Sequence, residues 1–132
     1  MRPTNRFHGG MSLAVLFVFV AFAGCGGSAA SQPQARDRAT TETCNRYAAC
    51  DLVGAGKTYA TRESCEVDWR AKWESGWPPA ECDGKIDQND LEFCLAAIHS
   101  TACNVVDLLI TIGTKCPKML VCSGGSAPDG GS

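Results

Sequence analysis

Apolar side chains recur at spacings of three and four along the middle of the chain, between residues 37 and 122. That is the period of helices with one inward face. A first helix is expected over residues 37–50, with Thr40, Cys44, Tyr47 and Ala48 on one side and Gly54-Ala55-Gly56 closing it. Thr61 is placed to cap a second helix, with Glu63 in its first turn and Cys65, Trp69 and Trp73 as its inward stripe. Glu66–Arg70, Arg70–Glu74 and Asp68–Lys72 stand four apart on its polar side, a spacing that brings opposite charges together. Trp77-Pro78-Pro79 stops it, because a residue before proline is pushed out of helical geometry. Asp87 and Asp90 fit the N-cap and third position of the next helix, whose face is Leu91, Cys94, Leu95 and Ile98. Asn104 and Asp107 repeat the device before Val105, Leu108, Leu109 and Ile112. No segment alternates over strand lengths. The pattern predicts a small all-α bundle of about four helices.

A different pattern fills the N-terminus. Arg2 and Arg6 precede an unbroken apolar run from Leu13 to Ala23, and no acid occurs before Asp37. Counted from Met11 the run is about 13 residues, short of the roughly 20 that a permanent membrane span needs. The three-part layout is that of an export signal. Two cleavage points compete. Ala21-Phe22-Ala23 is an A-x-A site that would release a soluble protein beginning at Gly24. Phe22-Ala23-Gly24-Cys25 resembles the bacterial lipobox, with Phe22 where leucine is usual, and there the cysteine thiol receives a diacylglycerol. The chain has nine cysteines. Soluble release would leave one unpaired in an oxidising compartment, whereas lipidation of Cys25 leaves an even set of eight. Parity therefore favours Cys25 as a lipid attachment site. Gly26 follows that cysteine, where aspartate would resemble an inner-membrane retention signal, and by that resemblance the outer membrane is implied if the cell is Gram-negative.

This divides the chain into a removed signal (residues 1–24), a lipidated cysteine with a flexible tether (25–36), a disulfide-rich helical domain (37–122) and a Gly/Ser tail (123–132). Loss of Arg2 and Arg6 leaves ten basic against fourteen acidic side chains. There is no basic stripe and no aromatic-basic interleaving, so nucleic acid is not an expected partner. The expected partners are the membrane, through the N-terminal lipid, and an envelope protein, glycan or small metabolite.

The eight remaining cysteines are expected to staple neighbouring helices, since a domain of this length supports only a modest core. Sequence alone allows 105 pairings of eight. Proximity along antiparallel neighbours favours Cys50–Cys65 and Cys94–Cys103, leaving Cys44–Cys82 and Cys116–Cys122. Metal ligation fits poorly: no Cys-x-x-Cys occurs and His99 is the single histidine after the signal. No metal or cofactor is expected. Gly54-Ala55-Gly56-Lys57-Thr58 ends like a P-loop but has Asp51 where the first glycine belongs. Asp83 to Asp90 has the acids of a calcium loop without the spacing, so capping is the better use. His99 next to Ser100 lacks an orienting third group, and adjacent helical residues point apart. Trp69, Trp73 and Trp77 form a ridge at spacing four. Trp69 and Trp73 share a face with Cys65 and are assigned to the core. Trp77, before the two prolines, is the candidate exposed ligand contact.

Several short words carry a family resemblance: the Gly-Ala-Gly-Lys-x-Tyr turn after Cys50, Arg62-Glu63-Ser64-Cys65, Ile86-Asp87-Gln88, Cys94-Leu95-Ala96-Ala97-Ile98 and Cys103-Asn104-Val105-Val106-Asp107. With the lipobox and cysteine spacing, these resemble a family of small myxobacterial lipoproteins labelled for natural-product biosynthesis. The resemblance implies a cell-envelope location and a scaffold role for the cysteines, and it brings no catalytic residues. No nucleophile, base and orienting group stand together in the sequence. The expected function is a non-enzymatic binding or structural module. The alternative is an accessory enzyme or carrier handling a natural product in the envelope.

Overall fold

The computed structural model describes residues 30–124. These form six helices: α1 (Gln32–Ala49), α2 (Arg62–Gly76), α3 (Pro79–Cys82), α4 (Gln88–Ser100), α5 (Val105–Lys115) and α6 (Lys118–Val121). The four long ones are those that the periodicity predicts; α3 is a single turn in the connection from α2 to α4, and α6 is a single turn after α5. Thr61 caps α2 in a reciprocal box with Ser64, Asp87 caps α4 through Asn89 and Asp90, and Asn104 caps α5 through Val106. Each supplies an acceptor to first-turn N–H groups that the helix itself cannot satisfy.

α1 starts five residues ahead of the expected Asp37, so part of the expected tether is folded. Ser31 is the N-cap and Pro33 lies in the first turn, where a missing N–H costs nothing. Gln32 is fully buried: its backbone N–H donates to Asp83 at 3.1 Å, and its side-chain amide donates to the Trp77 carbonyl at 2.6 Å. Thr40, Cys44 and Tyr47 face inward as expected, while Ala48 is exposed. The far boundary also moves. Gly124 donates to the Lys85 carbonyl, and a Cβ there would lie 2.8 Å from the Asp87 nitrogen. The domain therefore continues two residues past Cys122.

Contacts fix the helix directions. α2 runs antiparallel to α1, with Arg62 on Asn45, Arg36 on Glu74 and Gln32 on Trp77. α4 runs parallel to α1, because Arg38 meets Glu92, Glu42 meets His99 and Arg46 meets the Thr101 carbonyl in rising order. α5 returns along α4. Only Leu108 of its predicted face is fully inside; Val105 and Ile112 are half-buried and Leu109 is exposed with Val106 and Ile110. α5 is thus an edge helix.

All eight described cysteines are paired, but in none of the expected combinations. The bridges are Cys44–Cys65, Cys50–Cys103, Cys82–Cys122 and Cys94–Cys116. Cys94 and Cys103 do not pair: Cys94 lies on the inward face in the middle of α4, whereas Cys103 lies beyond the end of that helix, where it meets Cys50. Cys94 instead reaches Cys116 on its antiparallel neighbour. Cys50–Cys65 fails because the α1–α2 register sets Cys44 opposite Cys65. Cys50 and Cys103 meet because the parallel helices α1 and α4 end at the same pole. Cys82 and Cys122 close the opposite pole, which removes the Cys44–Cys82 and Cys116–Cys122 alternatives.

Candidate functional site

The aromatic column of α2 organises the interior. Trp69, Trp73 and Trp77 pack in series, with ring centroids 5.8 Å and then 4.4 Å apart. Tyr47 extends the column from α1, 6.1 Å from Trp69, and meets Tyr59 edge-on at 5.1 Å. Trp69 and Trp73 are core residues, as their stripe predicts. Trp77 is not an exposed contact. It is fully buried, its indole Nε1 donates to the Cys116 carbonyl at 3.1 Å, and its carbonyl receives the Gln32 amide. The two prolines after it turn the chain but do not fray it, since α3 starts at once and Cys82 is tied to Cys122.

At the outer end of the column the Tyr59 hydroxyl donates to the Asp68 carboxylate, which also holds Lys72 at 2.6 Å. Hydrogen bonding from Lys72, then from Tyr59, holds the Asp68 carboxyl below its ordinary value. Burial, reinforced by Asp68, pushes the Tyr59 phenol well up, and burial raises Tyr47 too. The Arg36 guanidinium is raised chiefly by its hydrogen bond to Glu74. These groups serve the scaffold.

Where α2 faces α5 and the start of α6, a groove of about 230 Å³ opens over the column. Trp69, Trp73 and Trp77 line it on one side and Ile112 and Cys116 on the other. Its charged lining residues are Lys72 and Lys118. Lys72 sits 4.6 Å from the Trp69 ring centre, and Lys118 pairs with Glu81 outside the groove. Two glycines, Gly76 at the end of α2 and Gly113 inside α5, complete the rim. Neither has a positive φ, and a Cβ on either would meet nothing within 4 Å. Glycine inside a helix costs roughly 0.5–1 kcal/mol relative to alanine, so Gly113 weakens α5 without a packing reason. Trp73, nearly fully buried, has an indole N–H with no partner among the described residues.

Other singled-out residues have structural roles here. Gly54 and Gly56 take positive φ in the loop after α1, and Lys57 pairs with Asp51. Asp87 is spent on capping, and Asp83 receives the Gln32 N–H. His99 Nδ1 lies 2.8 Å from Glu42 on an exposed surface. Cys25 lies outside the described residues, five positions before Ala30, which is fixed to Ile86 by an antiparallel bridge. No helix among the described residues is long and apolar enough to cross a membrane.

The groove was missed in the sequence because its two walls come from segments some 40 residues apart. One local signal existed: Gly113 interrupts an otherwise apolar helical face. No curated protein and no solved structure matches the chain. From its first disulfide cysteine to the glycine packed on Asp87, residues 44–124, the chain matches and belongs to DUF6184, a family of unknown function.

Proposed function

We propose that the chain is a lipid-anchored cell-envelope protein whose disulfide-stapled helical domain works as a non-enzymatic binding or structural module. The observation that carries this reading is cysteine parity. Eight of the nine cysteines are consumed in four bridges within the domain, so Cys25, at the end of Phe22-Ala23-Gly24-Cys25, is the one left over. Four bridges in so short a domain also suit an oxidising compartment outside the cytoplasm. Five residues of extended chain reach at most ~18 Å, so a diacylglycerol on Cys25 would hold the Ala30–Ile86 end of the domain close to the bilayer. The domain's carboxylates engaged in caps, ion pairs and the Tyr59–Asp68–Lys72 chain support a scaffold over a catalyst. The outer membrane is the proposed location if the cell is Gram-negative.

The resemblance to myxobacterial lipoproteins extends the reading to a role beside natural-product biosynthesis. Deleting the gene is then expected to change the amount of a secreted metabolite, read by mass spectrometry of culture extracts. An unaltered metabolite profile would remove that extension and leave the anchor reading standing. For the anchor itself, Cys25→Ala is expected to move the protein out of the washed membrane fraction or stall it as unprocessed precursor. Normal processing and unchanged membrane retention would contradict it.

A further inference from the structure

We infer that α5 is the contact surface of a homodimer, in which two copies of the chain pack α5 against α5 in antiparallel sense. The first two helices spend their outer faces on charge: Asp37 and Arg38 of α1 and Arg62, Glu63, Arg70 and Lys72 of α2 are exposed. α5 departs from this. It carries no charged side chain between Asp107 and Lys115. Leu108 is buried, yet Val106, Leu109 and Ile110 are 61%, 49% and 58% exposed on a second face. With Gly113 they stand at i, i+3, i+4 and i+7, one continuous stripe. A helix that is apolar on both faces is normally covered on both.

The order of side chains selects a second copy as the cover. The stripe is symmetric about the midpoint between Leu109 and Ile110, so a two-fold axis there lays it on its own reverse. Val106 of each copy then faces Gly113 of the other, and Leu109 faces Ile110. Large meets small at both ends. Glycine at 113 weakens α5, and a Cβ there would meet nothing within 4 Å, so the domain itself does not call for it. A bilayer would favour a large apolar side chain at that position; the reversed stripe needs a small one. Two such stripes bury roughly 600–800 Å² in all, below the ~1,200 Å² of a standard interface, so the dimer is weak. Its dissociation constant in solution is on the order of 0.1–1 mM. The pairing goes beyond the proposed function and does not need the lipid; confinement of anchored copies to one bilayer would only raise their effective concentration.

The test is sedimentation equilibrium of the oxidised mature chain, residues 25–132, with Cys25→Ala so that neither lipid nor free thiol intervenes. From ~20 µM to ~1 mM the average mass should rise from one chain towards two. Ile110→Lys, at an exposed position, should keep its melting temperature and stay monomeric. Gly113→Val should melt at the same or a higher temperature and associate roughly tenfold more weakly, because valine then faces valine. The exchanged pair Val106→Ala/Gly113→Val restores large against small and should regain association. Association unchanged by Ile110→Lys, or strengthened by Gly113→Val as for a merely sticky face, would overturn the dimer. An exchanged pair no tighter than Gly113→Val alone would overturn the antiparallel register. A chain that stays monomeric throughout would overturn the proposal, and its flotation with phosphatidylcholine vesicles would give the stripe to a bilayer instead. Failure of the anchor leaves these measurements unchanged, because the tested chain carries no lipid.

Discussion

Removing the Cys50–Cys103 bridge isolates the contribution of cross-linking to stability. Cys50 is half-buried and Cys103 exposed, so replacing both by alanine opens little space in the core. The bridge spans 53 residues of sequence. With the other three bridges intact, the shortest covalent route from Cys50 to Cys103, through the Cys44–Cys65 crossing, still holds roughly 40 residues. Loop closure over that length is worth about 4 kcal/mol of denatured-state entropy. In a domain of this size such a loss lowers the melting temperature by roughly 15–30 °C. Urea unfolding of the oxidised Cys50→Ala/Cys103→Ala protein, followed by tryptophan fluorescence, measures it. The slope with urea should rise as well, because the released chain exposes more surface on unfolding. Cys44–Cys65 provides the contrast. Its loop of 21 residues is worth about 3 kcal/mol, but both sulfurs are fully buried, so alanine there also removes packing. A loss below ~1 kcal/mol at Cys50–Cys103, with an unchanged slope, would refute the view that the bridges hold this core through the unfolded state.

Trp77→Ala is expected to cost about 3–5 kcal/mol, since it empties a fully buried site and orphans the Cys116 carbonyl; chemical denaturation would show it. Gly124→Ala should cost about 1–3 kcal/mol, because its Cβ would stand within 2.9 Å of the Ile86–Asp87 backbone, and the same assay reads it. The two tyrosines give a pH signature. Both phenols are raised above the ordinary value of 10.0 in the fold, so the folded state holds their protons more tightly than the unfolded chain. Their contribution is complete below pH 10 and is lost as pH rises through the native values. Absorbance at 295 nm should therefore show more tyrosinate in the denatured protein than in the native one around pH 10.

The parts legible in the sequence are those governed by local rules. Thr61, Asp87 and Asn104 are caps because their side chains satisfy N–H groups two or three residues on, and that requirement is visible in a short window. The inward faces of α2 and α4 follow from period alone. The start of α1 was legible too: Ser31 before Gln32-Pro33 is a cap followed by first-turn proline. The small and polar residues ahead of it made the stretch read as tether. Helix direction was not legible. Whether α4 runs with or against α1 depends on connections whose path no local period records, and the disulfide pattern follows that choice. Trp77 shows the same limit. Its neighbours in sequence suggest a frayed helix end, while its burial comes from Gln32 and Cys116, each some 40 residues away. Leu109 is outside because α5 lies at the edge, where an apolar face meets fewer helices than its pattern anticipates.

The assignment of Cys25 to lipid and of the other eight cysteines to scaffold is tested most directly by mass spectrometry of the N-terminal peptide of the protein isolated without reduction from its producing cells. A peptide beginning at Cys25 and carrying a diacylglycerol, with no alkylatable thiol elsewhere in the chain, is the predicted result. An unmodified peptide beginning at Gly24, with Cys25 free to react with iodoacetamide, would contradict it.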